Sequence, residues 1–122
     1  MPDMDNTVAF LDIPKLEARF FKDSKFLGEI LDNFAVTAKN CLDEIELAVK
    51  NNNPILLANS SHKLLGSAMN FSNSYAVRYL QEIELEAREN GRIIVDSDDV
   101  KKLRVSIDTM REQLTAICHS WH

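Results

Sequence analysis

Glycine and proline are scarce in this chain, three of each in 122 residues, which argues against a fold of many tight turns and favours long helices. No apolar run approaches the roughly 18 residues of a membrane span, so no such span is expected. Positive charge is not in excess: 14 Lys and Arg against 19 Asp and Glu leave a formal net charge of -5, which speaks against a sequence-independent nucleic-acid binder. Only two cysteines occur, Cys41 and Cys118. Both fall near apolar helical stripes, where packing as reduced thiols is their expected role. The first residues, Met1-Pro2-Asp3-Met4-Asp5, are acidic and have no signal-peptide layout, so the expected address is the cytoplasm. No internal repeat, linker or low-complexity tract interrupts the chain, and 45% of it is apolar. Those figures describe one globular domain over residues 1–122 with one core.

Apolar residues recur at three and four along four long segments. Leu27, Leu31, Phe34, Ala38, Cys41 or Leu42, Ile45 and Val49 predict a helix over about 24–50, with Ser24 as its cap. Asn51-Asn52-Asn53 breaks it. Asn53 is the expected cap of a helix over about 54–70, with Pro54 in its first turn and Leu57, Ser61, Leu64, Ala68 and Phe71 on one stripe. Ser72-Asn73-Ser74 reads as a turn and cap. A helix over about 73–90 then points Ala76, Val77, Leu80, Ile83 and Ala87 inward and stops at Gly91. Ser97 is the expected cap of a last helix over about 97–119, with Val100, Leu103, Ile107, Met110, Leu114 and Ile117 as its seam. A short helix over about 14–21 starts at Pro14. Arg92-Ile93-Ile94-Val95 is strand-like but too short to found a sheet, and reads as a packed connector. The expected fold is all-α: an antiparallel up-down-up-down four-helix bundle with a short extra N-terminal helix.

One run inside the third long segment stands out, Ser60-Ser61-His62-Lys63-Leu64-Leu65-Gly66-Ser67-Ala68. An interior helix glycine costs about 1 kcal/mol relative to alanine. Residues four apart share a helix face, and side chains lean toward the N-terminus, so a side chain at 66 would lie over the imidazole of His62. Glycine keeps that space empty. At about 100° per residue, His62 falls one step off the stripe of Ser61 and Leu64, at the edge of the buried face. Ala58, Leu65, Gly66 and Met69 are expected around it as an apolar, low-relief docking patch. Taken alone, a lone histidine in this position also suits a boundary residue packed against another subunit.

The run resembles the phosphoacceptor motif of histidine phosphotransfer (HPt) domains, which relay phosphoryl groups between receiver domains. The family's places are held here by His62, Leu64, Leu65, Gly66, Ser67, Ala68 and Phe71. Leu16 to Phe21, Leu31, Phe34, Leu42, Leu57 and Ile83-Glu84 resemble its apolar pattern across most of the chain. The resemblance implies that His62 is the phosphoacceptor and that Glu84, twenty-two residues on, accepts from Nδ1–H to orient it. Two positions depart: Leu65 stands where a lysine is usual, and Ser72 where a glycine is usual. Lys63 or Arg88 would then supply charge near the phosphoryl group. The implied partners are receiver domains of response regulators, a hybrid sensor kinase, or both. The partner receiver is expected to bring Mg²⁺, and the chain is expected to need no cofactor of its own. Phe26 and Ile30 are expected to extend the docking face. The chain is expected to act as a monomer, binding neither nucleic acid nor membrane.

No Gly-x-x-x-x-Gly-Lys-Ser/Thr loop is present, so phosphorylation from ATP by the chain itself is not expected. Two other readings remain. A di-metal bundle needs Glu-x-x-His pairs on facing helices, and none surrounds His62, His119 or His122. Cys118, His119 and His122 could form at most a weak terminal metal site. The other reading is an adaptor that keeps the HPt fold and binds a receiver or kinase without transfer.

Overall fold

A computed structural model describes residues 11–71 and 75–121. The first ten residues, the expected turn at 72–74 with its Ser72 departure, and His122 lie outside the described residues. The chain folds into five helices: α1 (Ile13–Phe20), α2 (Ser24–Lys50), α3 (Pro54–Ala68), α4 (Tyr75–Asn90) and α5 (Ser97–Ser120). No strand occurs among the described residues.

The helix starts are set by side chains that accept from otherwise orphaned backbone N–H groups. Asn53 caps α3 as expected, accepting from the N–H of Leu56 at 3.1 Å, and Pro54 follows in the first turn. Two expected caps are corrected. Asp23, not Ser24, caps α2, accepting from Phe26 N–H at 3.0 Å. Asp96, not Ser97, caps α5. Asp99 N–H donates to Asp96 at 2.8 Å and Asp96 N–H to Asp99 at 3.1 Å, a reciprocal capping box. In both cases the serine is the first helical residue, and a carboxylate one place earlier adds charge against the positive end of the helix. α1 begins one residue before the expected proline because Asp12 caps it. It ends at Phe20, since Phe21 and Lys22 both turn left-handed, with φ 58° and 52°. α3 stops at Ala68, two residues short of the expected end. α4 ends at Asn90, and the φ of 61° at Gly91 lets Arg92 N–H close back on Glu86 C=O at 3.0 Å.

The four long helices share one core. α2 packs on α3 and α5, α3 on α4, and α4 on α5. Leu27, Ile45, Leu57, Leu64, Leu80, Ile83, Leu103, Ile107 and Leu114 lose all or nearly all contact with solvent. Each contributes about 1.5–3 kcal/mol on burial. On α2 the inward residue near the end is Ala48 rather than Val49, which is half-buried. Val95 is buried and Ile93 and Ile94 pack on the core, so the strand-like run is a packed connector. α1 buries Leu16 and Phe20. Phe20, Phe26, Phe34 and Phe71 form an aromatic cluster there, with ring centroids 5.2–5.9 Å apart. Arg19 ties α1 to the end of α3 by donating to Asn70 at 3.0 Å.

Polar contacts stitch the same interfaces. Arg104 on α5 donates to Asp43 at 2.8 Å and Glu46 at 3.2 Å on α2. Lys39 and Arg104 together hold the Asp43 carboxyl below its ordinary value. The Cys118 thiol donates to Ser24 C=O at 3.1 Å, and Ser60 donates to Glu44 at 2.9 Å. Both cysteines are buried free thiols whose pKa is pushed up chiefly by burial, in keeping with a packing role. No described helix is long and apolar enough to cross a membrane.

Candidate functional site around His62

α3 runs between α2 and α4, and this decides what surrounds His62. Its buried residues are Leu57, Ala58, Ser60, Ser61, Leu64, Leu65 and Ala68. At about 100° per residue they fill an arc of roughly 160°, wider than one apolar stripe. His62 lies just beyond the arc on the α4 side, with Met69, Ile55, Gly66 and Asn59 next to it around the helix. Lys63 lies about 100° further round, on the α2 side, where its charge acts on the Cys41 thiol.

The His62 side chain is 71% exposed, and its Nδ1 lies 2.9 Å from Oε2 of Glu84, whose side chain is only 16% exposed. Glu84 projects from α4 at the height where α3 presents the histidine. A carboxylate only accepts, so Nδ1 is the protonated nitrogen of this contact. In the neutral ring, Nε2 then carries the lone pair. The same Oε2 also accepts from Nη2 of Arg88 at 3.2 Å, one helical turn along α4. That Nη2 lies 3.5 Å from Oδ1 of Asn59 on α3. Asn59 and His62 from one helix therefore meet Arg88 and Glu84 from the next.

The expected docking patch is corrected at two positions. Ala58 and Leu65 are buried, at 2% and 8% exposure, instead of lying open beside the histidine. They sit four before and three after His62, on the flank that α4 covers. Met69 is exposed as expected, and Ile55 and Leu85 are exposed apolar residues beyond those expected. Phe26 is partly exposed and Ile30 half-buried. Both belong to α2, with the Phe26 ring 5.7 Å from that of Phe20, in the aromatic cluster rather than the His62–Glu84 pair.

Around Gly66, a Cβ built on the backbone meets no heavy atom within 4 Å. Gly66→Ala is therefore expected to raise stability by up to about 1 kcal/mol, read as a higher melting temperature. Crowding the ring needs a longer side chain. Gly66→Gln should fold normally yet slow any reaction at His62, and an undiminished rate would remove access as the reason for the glycine.

Among the described residues no group of three His, Cys, Asp or Glu is placed to hold a metal ion. Cys118 is buried with its thiol on Ser24 C=O, while His119 is exposed. Comparison of the chain with family models, curated proteins and solved structures finds no match.

Proposed function

We propose that the chain is a phosphorelay carrier of the histidine phosphotransfer kind, with His62 as its phosphoacceptor. The observation that carries this reading is the Nδ1 contact to a mostly buried carboxylate on an otherwise open imidazole. A histidine held only for packing has no need of a largely exposed ring and an empty space at Gly66 beside it. The up-down, antiparallel course of the long helices belongs to the same reading. Supporting it, α2 meets α5 through Asp43 and Arg104 near opposite ends from Ser24 and Cys118. In the same sense, Asn59 and His62 meet Arg88 and Glu84 in reverse order.

In the proposed reaction, the Nε2 lone pair attacks the phosphorus of an aspartyl phosphate on a partner receiver. The P–O bond to the aspartyl carboxyl breaks, and the carboxylate leaves with the electron pair. The reverse step hands the group to another receiver. Such transfer depends mainly on positioning and charge neutralisation. This chain supplies the nucleophile, the orienting carboxylate and the surface around them. The partner, a receiver of a response regulator or hybrid kinase, supplies Mg²⁺ when bound. Arg88 is the cation at the Glu84 end of the site, whereas Lys63 faces α2. The carrier acts in the cytoplasm, as a monomer and without ATP.

Incubation with a phosphorylated receiver tests this reading. Acid-labile, base-stable phosphate should appear on the chain. Receiver binding without any such phosphate would instead support the adaptor reading, which draws on the leucine at position 65.

A further inference from the structure

Glu84 is a demanding partner for a nucleophilic histidine. An isolated carboxylate 2.9 Å from Nδ1 stabilises the imidazolium as well as the desired tautomer. The imidazolium has a proton on Nε2 and no lone pair there. A neutral amide at 84 would carry no such conflict. Here the carboxylate is shared: the same Oε2 accepts from the Arg88 guanidinium at 3.2 Å, which stays charged at every accessible pH. Asn59 reaches the same Nη2 at 3.5 Å from α3, so the guanidinium spans the groove between the helices.

We propose that Arg88 is a positioning residue that balances the charge of Glu84, so that the carboxylate holds Nδ1–H of His62 without drawing a second proton onto the ring. The proposal rests on the reading of His62 as nucleophile. The charges around the ring are few. Among the ion pairs of the described residues, His62 pairs only with Glu84, and Glu84 only with His62 and Arg88. On α3, Asn59 is neutral and Lys63 is exposed on the α2 flank, about 100° round the helix from His62. Arg88 is half exposed, so its influence is partly screened and graded rather than absolute.

The test uses Arg88→Met, which removes the charge and keeps most of the stem, and Arg88→Lys, which keeps the charge. Two measurements are made on each. Ring nitrogen and proton NMR signals of His62 are followed against pH in the chain alone, and the transfer rate from a phospho-receiver is followed against pH. In Arg88→Met the ring should take up its second proton at higher pH than in the wild type. Transfer near pH 6.5, about where an ordinary imidazole changes charge, should fall about threefold and recover as the pH is raised. Arg88→Lys should restore most of the wild-type profile. An unchanged ring response in Arg88→Met would overturn the proposal. So would an equal rate loss at every pH, since Arg88 would then act on the phosphoryl group or on docking. A ring that responds as expected in a chain that no receiver labels would leave the charge balance standing and remove the phosphotransfer reading instead.

Discussion

His62→Gln is expected to lose all labelling by a phospho-receiver while its helical circular dichroism and melting temperature stay close to wild type. The side chain is 71% exposed, so little packing is lost, and surface changes of this kind shift stability by about 0.5 kcal/mol or less. Glutamine can still donate an amide N–H toward Glu84, which keeps the polar contact while removing the nucleophilic ring nitrogen. The substitution therefore separates chemistry from fold. His119, exposed near the end of α5, has no comparable partner carboxylate among the described ion pairs and should not substitute. Labelling of His62→Gln at the wild-type level would sink the assignment of the phosphoacceptor.

The second large effect is expected at Leu65, and it is an effect on stability. With 8% exposure, Leu65→Ser leaves a cavity and puts a hydroxyl beside apolar neighbours. Leucine truncation in a core costs about 2–5 kcal/mol, and burying a hydroxyl without a partner adds to that. The urea midpoint should fall accordingly. Leu65→Lys should lose less, because a lysine can bury its stem and carry the ammonium past the edge of the groove. Had Leu65 been a docking residue, Leu65→Ser would weaken receiver binding at wild-type stability. That pattern of results would return the residue to the surface.

Much of the helical pattern was legible in the chain itself. Three-four spacing located α2 and α5 nearly to the residue, because each buries one long stripe and the spacing of apolar residues follows the helical period directly. Asn53-Pro54 was readable for the same local reason: a cap followed by a first-turn proline needs nothing from the rest of the fold. The caps at Asp23 and Asp96 were missed by one place, since aspartate and serine both cap well and only the turn geometry chooses between neighbours. At the site, helical spacing marked His62 and Gly66, while Glu84 was named only by the family resemblance. Asn59 was not marked, although it lies three residues before His62 and so on the same face. Arg88, four after Glu84, was named only as one possible source of charge.

The sequence by itself determined the helical content, the length of the long helices and the position of His62 at the rim of a buried stripe. These follow from local propensity, caps and one-dimensional periodicity. Which flank of α3 would be covered could not follow from that pattern, because it depends on where α2 and α4 lie around it. Tertiary packing decided that Ala58 and Leu65 go inside and that Lys63 is left exposed on the α2 flank. It also decided that Glu84 and Arg88 from a different helix meet His62 and Asn59. α3 lies between α2 and α4 and buries a broad arc against them, which leaves the imidazole at the edge of that arc, with Glu84 at Nδ1.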